Sequence, residues 1–274
     1  METSVTLSTL QQMKRDGRKI VGVVAYDYQM AQIVDRAGVD IVSVGDSVGI
    51  NLWGHGSELE VTLDEMLLAC RAVRRGVTRA LVSCDFPFGP LQEGAEAAVR
   101  AAIRLVKEGG ADLVKLDGAS AFPDAVRAIG RAGIPVWAQF GITPHTAMRY
   151  GGMSKAGPEL AADMKDALLQ EARTLEDAGA SLLDFTNSGP VAGPEVVKAV
   201  SIPVIGGLGG GPWLDGRVRA AFAAIGYLAT AIDDSQTERY ANVAQVTFDA
   251  IKTFSDDVRS ARQIRGAGAR TVGS

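Results

Sequence analysis

The chain has 274 residues, of which 47% are hydrophobic and 22% charged, and a formal net charge of −4. That length suits one α/β barrel or two small domains, and that hydrophobic share is enough to bury a sizeable core. The acidic balance and the lack of a long basic run argue against a nucleic-acid or membrane-surface partner, and the longest uncharged apolar run, Ala220 to Ile232, is too short to cross a bilayer.

In chain order, Ser8 to Asp16 reads as a short amphipathic helix, with Ser8 as N-cap and Gln11 three residues on. It lies where a helix would cap the bottom of a barrel. Ile20 to Ala25 is a β-branched apolar strand closed by Tyr26-Asp27, and Tyr28 to Arg36 is the helix that follows. Ile41 to Val44 is the second strand. Thr62 to Arg75 is a helix with a capping-box pattern in Thr62 and Glu65. The pattern then alternates: strand Arg79 to Cys84, helix Gly94 to Glu108, strand Ala111 to Leu116, helix Pro123 to Arg131, strand Pro135 to Gln139, helix Glu159 to Ala178, strand Ser181 to Phe185. Helix Pro194 to Val200, strand Pro203 to Gly206, helix Leu214 to Phe222, strand Gly226 to Ala229 and a closing helix Thr237 to Phe254 complete it.

The segments "RAGVDIVSVGDS", "EGGADLVKLDGA", "RAGIPVWAQFG" and "DAGASLLDFTNS" share one grammar. In each, a helix ends in a charged residue and a small or Gly pair, and a buried strand starts at once, as in a βα array. Counted from Ile20, the alternation predicts eight strands and a (β/α)8 TIM barrel with an N-terminal capping helix; the competing architecture is a doubly wound open sheet. Residues 1–254 are expected to form one barrel domain and 255–274 a flexible tail rich in Ser, Gly and Arg. The two cysteines, Cys70 and Cys84, have no CxxC or zinc spacing and read as reduced core thiols. With no basic-then-apolar leader pattern, the expected location is the cytoplasm.

In a barrel, chemistry sits where strands end. Asp46, Asp85, Lys115, Asp117, Gln139, Asp184 and Thr186 all fall at or near carboxyl ends of predicted strands, so they converge on one mouth. Lys115 and Asp117 share a strand face, as do Asp184 and Thr186. One Asp after a strand is most simply a turn or cap residue; four at strand tips, with a lysine, form a site. Only two histidines are present, His55 and His145, both in the long loops Ser47 to Val61 and Gly141 to Pro158. Carboxylates without a His or Cys cluster select a hard cation, Mg²⁺ above all. Mg²⁺ leaves positions open for the carboxylate and keto oxygens of a 2-oxo acid, and Lys115 would neutralise the charge of its enolate. The Gly-rich "GGLGGG" at Gly206 to Gly211 would cradle a phosphate or simply permit a tight turn; its spacing is not that of a P-loop.

Beyond these features, the chain resembles the ketopantoate hydroxymethyltransferase (3-methyl-2-oxobutanoate hydroxymethyltransferase) family of the phosphoenolpyruvate mutase/isocitrate lyase superfamily. The resemblance rests on "VVAYDYQMA", "VSVGDSVG", "GHGSELEVT", "AVRRG", "CDFPFG", "ADLVKLDG", "FGITPH", "DAGASLL" and "SIPVIGGLGGG", in order over roughly residues 5 to 230. It implies a cytoplasmic, homo-oligomeric, Mg²⁺-dependent transferase that makes the enolate of a 2-oxo acid and adds a one-carbon unit from methylene-tetrahydrofolate. By position, Asp46 and Asp85 would hold the metal, with Asp117, where the family has Glu, close to it. Ser47 and Lys115 would hold the substrate, with Tyr26 in the same mouth.

Two positions depart. Thr186 stands where the family has a Glu that acts as base, and Gln139 where it has a His; neither is a base at neutral pH. The changed loop "GGMSKAGPEL" also implies an altered substrate pocket, as in a specialised pathway enzyme. Three readings follow. The chain performs an aldol-type addition with Asp184, one layer deeper than Thr186, as the displaced base. Alternatively it is a decarboxylating or retro-aldol carbon–carbon lyase that needs no such base. In the third reading it is a non-catalytic barrel that binds a 2-oxo acid or a partner enzyme, against which the intact Lys and carboxylate positions argue.

Overall fold

A computed structural model describes residues 4–152, 155, 157–234 and 236–266. The chain divides into two compact units, Met1–Arg219 and Ala220–Ser274. The helix α1, Leu7–Arg15, is followed by β1 (Ile20–Val24), α2 (Tyr28–Arg36), β2 (Ile41–Val44) and α3 (Leu63–Gly76). Next come β3 (Leu81–Asp85), α4 (Ala95–Arg104), β4 (Leu113–Leu116), α5 (Pro123–Arg131) and β5 (Val136–Gly141). Then follow α6 (Pro158–Asp163), α7 (Lys165–Asp177), β6 (Leu182–Thr186), α8 (Gly189–Ala199), β7 (Val204–Gly206) and β8 (Gly216–Ala220). The second unit holds α9 (Ala221–Ala224) and α10 (Val243–Arg259).

The eight strands close into a barrel in sequence order, β1 to β8, as the alternation predicted. Every described pairing is parallel. Ile20, Ile41, Leu113, Trp137, Leu182, Ile205 and Val218 form one buried cluster with Leu10 and Met13 of α1, so α1 seals the barrel floor as expected. Successive side chains of a strand point to opposite faces, so residues two and four positions beyond this apolar floor also face the barrel axis. On β4 those are Lys115 and Asp117; on β6, Asp184 and Thr186; on β3, which starts at Leu81, Ser83 and Asp85.

The elements differ from the sequence reading in places. The N-cap of α1 is Thr6, whose side chain accepts from the Thr9 backbone in a capping box, not Ser8 with Gln11. The helix predicted over Glu159 to Ala178 is two, α6 and α7, which meet at Met164. The larger correction concerns the last strand. Leu214 to Phe222 is not a helix and Gly226 to Ala229 is not a strand; β8 is Gly216–Ala220, "GRVRA". Its alternation of buried and exposed residues is a period of two, which a short window of good helix formers masks. No helix separates β7 from β8. Gly216 is also required at closure: a Cβ there would stand 2.3 Å from the Ile20 carbonyl oxygen. The closing helix α10 begins at Val243 and continues to Arg259, so the predicted tail starts helical; residues 267–274 of that tail lie outside the described residues. Among the described residues no helix is long and apolar enough to cross a membrane.

Candidate active site

The site lies within the first unit, at the carboxyl ends of its strands. Its centre is Lys115. The ammonium lies 3.2 Å from Asp85 Oδ2 and 3.2 Å from Asp184 Oδ2, so β3, β4 and β6 are joined inside the barrel. β4 and β6 are not neighbours in the sheet, and their side chains meet only because the barrel is closed. Beneath, Nζ stands 5.6 Å from the centroid of the Trp137 ring, a cation–π contact with the floor. Asp184 also accepts from the Gly207 backbone N–H, at the start of the Gly-rich loop.

The charge balance of this triad governs its protonation. Burial works against the Lys115 ammonium, but Asp85 and then Asp184 outweigh it and hold its pKa above the ordinary value. Two carboxylates share that one cation. Burial pushes Asp85 up to about 7 against the pull of Lys115, with Asp46 adding to the rise. Burial likewise raises Asp184. Stripping three charges of water is costly, and a buried triad of this kind is stable only while its members stay paired.

A second cluster adjoins the triad at the tips of β2 and β4. The loop after β5 lays His145 across the mouth: Nε2 lies 2.9 Å from Asp46 Oδ2, and the backbone N–H donates to Asp117 Oδ2 at 3.3 Å. The ring meets Phe88 edge-on, centroids 5.6 Å apart. Burial lowers the His145 pKa, but the Asp46 hydrogen bond, then Asp117, reverse this and leave it raised. Burial raises Asp117, with His145 opposing. This loop leaves β5 through Gly141, at φ +87, where a Cβ would lie 2.6 Å from the Thr186 carbonyl oxygen. Only glycine fits there. His145 was not among the residues singled out from the sequence. Its signals were its place in a long loop after a strand, as one of two histidines, and at the end of the family-like stretch "FGITPH".

Tyr26 and Ser47 are brought together, Tyr OH to Ser Oγ 2.8 Å, and Asn51 Nδ2 donates to the Ser47 carbonyl at 2.8 Å. Burial pushes the Tyr26 phenol well above its ordinary pKa, so it stays protonated. Gln139 Nε2 donates to Thr186 Oγ1 at 2.9 Å, both buried. The predicted site residues therefore assemble as one polar region, with Asp184 one layer below Thr186. Its Oδ1 is sealed and unpartnered.

A hard cation was expected on Asp46, Asp85 and Asp117. Among the described residues no three His, Cys, Asp or Glu side chains are grouped as a metal cage. Mg²⁺ does not require one: it keeps several waters and commonly takes one or two carboxylates. Asp117 Oδ1 is buried without a partner, an acceptor that a hydrated cation would satisfy. The all-oxygen donor set thus fits Mg²⁺ bound through few protein ligands.

The closed parallel barrel, with its polar residues gathered at the strand tips, places the chain in the (β/α)8-barrel class. A 2,3-dimethylmalate lyase superposes with a TM-score of 0.59 at 14% identity, covering 97% of this chain and 91% of that one. A phosphonopyruvate hydrolase solved with oxalate and Mg²⁺ gives 0.56 at 12%, covering 97% and 90%. These likenesses concern fold. The chain matches the ketopantoate hydroxymethyltransferase family over residues 4–263. A 3-methyl-2-oxobutanoate hydroxymethyltransferase of a Cyanothece species is 40% identical over 268 residues, 96% of this chain and 99% of that protein. The one from Salinibacter ruber is 39% identical over 256 residues, 93% and 95%. The chain belongs to the ketopantoate hydroxymethyltransferase family, a family of enzymes.

Proposed function

We propose that this chain is a cytoplasmic, homo-oligomeric, Mg²⁺-dependent enzyme that forms a carbon–carbon bond at C3 of a 2-oxo acid, 3-methyl-2-oxobutanoate or a relative of it, through its enolate. The observation that carries this reading is the buried Asp85–Lys115–Asp184 triad at the strand tips. The Lys115 cation is held where negative charge would develop, and it is aimed by two carboxylates rather than by solvent. Preorganised charge of this kind costs no reorganisation when the substrate ionises.

Asp46 and Asp85, with Asp117 through water, would hold Mg²⁺. When bound, the ion supplies Lewis-acid stabilisation of the 2-oxo acid's oxygens. The protein's own groups supply the rest. Tyr26 and Ser47 offer hydroxyl donors for the substrate carboxylate. Lys115 balances the enolate charge. Asp184 receives the C3 proton: burial raises its pKa and makes it a stronger base than a solvated Asp. Methylene-tetrahydrofolate is the one-carbon donor that the family relationship suggests.

A second reading, a decarboxylating or retro-aldol lyase, draws on one observation. Asp184 lies beneath Thr186 with its free oxygen sealed, and Thr186 and Gln139 are not bases. Cleavage of a carbon–carbon bond yields the enolate without C3 deprotonation.

Proton exchange separates the two. With Mg²⁺ and 3-methyl-2-oxobutanoate in D2O, the C3 proton signal decays if a base makes the enolate, and Asp184→Asn stops the decay. No exchange, with binding of both ion and acid demonstrated, sinks the addition reading for that acid and turns the search to substrates that lose a carbon fragment.

A further inference from the structure

The tip of β6 turns through a residue in a rare backbone state. Asn187, directly after Thr186, has φ 56°, and among the described residues the only other non-glycine at positive φ is Ala261. Asn tolerates this region better than most residues, because its short amide can bond to nearby backbone. Here the amide reaches the exit of the neighbouring strand: Nδ2 donates to the Ile142 carbonyl, in the loop after β5, at 2.8 Å. The Asn187 backbone N–H donates to the Leu208 carbonyl, in the loop after β7, at 2.7 Å. One residue thus joins the exits of three adjacent strands, β5, β6 and β7.

The Gly-rich "GGLGGG" is shaped to this contact. A Cβ on Gly209 would stand 2.4 Å from Asn187 Oδ1 and 2.8 Å from its Cα. Arg217 of β8 gathers the carbonyls of the same loop: its guanidinium donates to Gly206 at 3.0 Å, to Gly207 at 3.1 Å and to Gly210. A phosphate cradle turns its backbone N–H groups into an open hollow. This loop is instead packed on Asn187 and braced on Arg217, so its glycines serve the close approach of the chain to itself.

Past Ile142 the loop after β5 folds as a compact turn. The Thr146 hydroxyl pairs with the Thr143 hydroxyl at 2.9 Å and accepts from the Thr143 N–H at 3.0 Å, and the Thr146 N–H donates to the Thr143 carbonyl at 3.1 Å. His145 rides in this turn. A turn braced within itself moves as one piece, so its place is set by its anchors. Asn187 holds the root, three residues before His145, and Asp46 and Asp117 hold the histidine itself. Ile142 is buried. Without the Asn187 amide its carbonyl loses that donor, and a buried carbonyl without a partner is costly enough to move the backbone that carries it.

We propose that Asn187 is a positioning residue of the site: its amide fixes the root of the His145 turn to the tip of β6 and thereby sets His145 against Asp46 and Asp117. The consequence for the ion rests on the reading above, in which those two carboxylates hold Mg²⁺; the placement of His145 does not.

The test uses the full chain with Asn187→Gly, which adopts the positive φ without strain and removes the amide. The chain has two histidines, and His55, paired with Glu65, serves as the internal reference for His145 in NMR. At one fixed pH and without metal, Asn187→Gly should shift the His145 ring signals and abolish their cross-peak to the Phe88 ring, which His145 meets edge-on, while His55 stays in place. Mg²⁺ affinity, read by calorimetric titration, should fall about 10-fold or more, the scale of losing an outer-shell partner. Adding His145→Ala to Asn187→Gly should weaken it no further than His145→Ala alone, because residues that act through one another are not additive. Asn187→Asp keeps the shape and the tolerance of positive φ but turns an acceptor to the Ile142 carbonyl. It should give the same result, and it replaces the glycine variant if that one does not fold. A lower melting temperature with the His145 signals unmoved overturns the inference and makes Asn187 a strut of the fold alone. Additive losses of Mg²⁺ affinity in the double variant also overturn it. Displaced His145 signals with unchanged Mg²⁺ affinity uphold the positioning of His145 and sink the metal reading at Asp46 instead.

Discussion

Asp46 and His145 are 99 residues apart in sequence and meet at 2.9 Å across the barrel mouth. Through its backbone N–H the same histidine also reaches Asp117, so one loop residue ties together the tips of β2 and β4. If Asp46 helps to hold Mg²⁺ as proposed, His145 acts as its outer-shell partner. His145→Ala is then expected to weaken Mg²⁺ binding about 10- to 100-fold, read by calorimetric titration of the ion. Unchanged affinity would reduce His145 to a residue that merely covers the mouth.

Lys115 is the sole cation paired with Asp85 and Asp184 among the described contacts. Lys115→Met leaves two buried carboxylates uncompensated, a change that typically costs about 3–5 kcal/mol. The loss should be largest at alkaline pH and smaller near pH 5, where a carboxylate of the pair takes up a proton. Urea melts at the two pH values measure it. Equal destabilisation at both would show that lost packing on Trp137, not charge, dominates.

The metal-free protein should lose stability as pH rises. Asp85 is raised from 3.8 to about 7, first by burial. Over that window the folded state therefore binds more protons than the unfolded state. The stability difference falls as pH climbs through it. The groups facing Asp85 are Lys115, Asp46 and Asp184. Thermal melts in chelator should show this decline, and Asp85→Asn, which cannot ionise, should flatten it. A stability that rises between pH 4 and pH 7 in the unaltered protein would refute the assignment.

Barrel closure offers a test away from the site. A Cβ on Gly216 meets the Ile20 carbonyl oxygen at 2.3 Å and Ile20 Cβ at 2.8 Å. Both belong to a strand in the closed sheet and yield little. Gly216→Ala should cost about 1–3 kcal/mol, the usual range for overpacking, measured by chemical denaturation. Gly17→Ala is the comparison: nothing lies within 4 Å of its Cβ, so its cost comes only from the positive φ of 67°.

Much of this was legible in the chain itself. The αβ turn grammar, the Gly stops and the doubly buried strands each arise from local periodicity and capping. They specified a barrel, its floor helix and the carboxyl-end positions of Asp85, Lys115, Asp117 and Asp184. Asp46 followed from the same strand-end rule, whereas Ser47 and Tyr26 entered only through the family resemblance. The failures were local as well. The alternating "GRVRA" strand hides among alanines, and a five-residue segment carries too few periods to separate a strand from a helix.

Tertiary structure alone decided the pairings. That Lys115 bridges β3 and β6, that His145 crosses to Asp46, and that Gln139 holds Thr186 depend on closing the barrel, which sets distances between residues far apart in the chain. Sequence spacing orders side chains along one strand because the repeat there is fixed at two. It carries no information on which tips face each other across the axis, since that depends on strand tilt and loop path. The residue types and their layer were therefore written in the sequence, and their electrostatic partners, with the pKa shifts those partners impose, were set only by the fold.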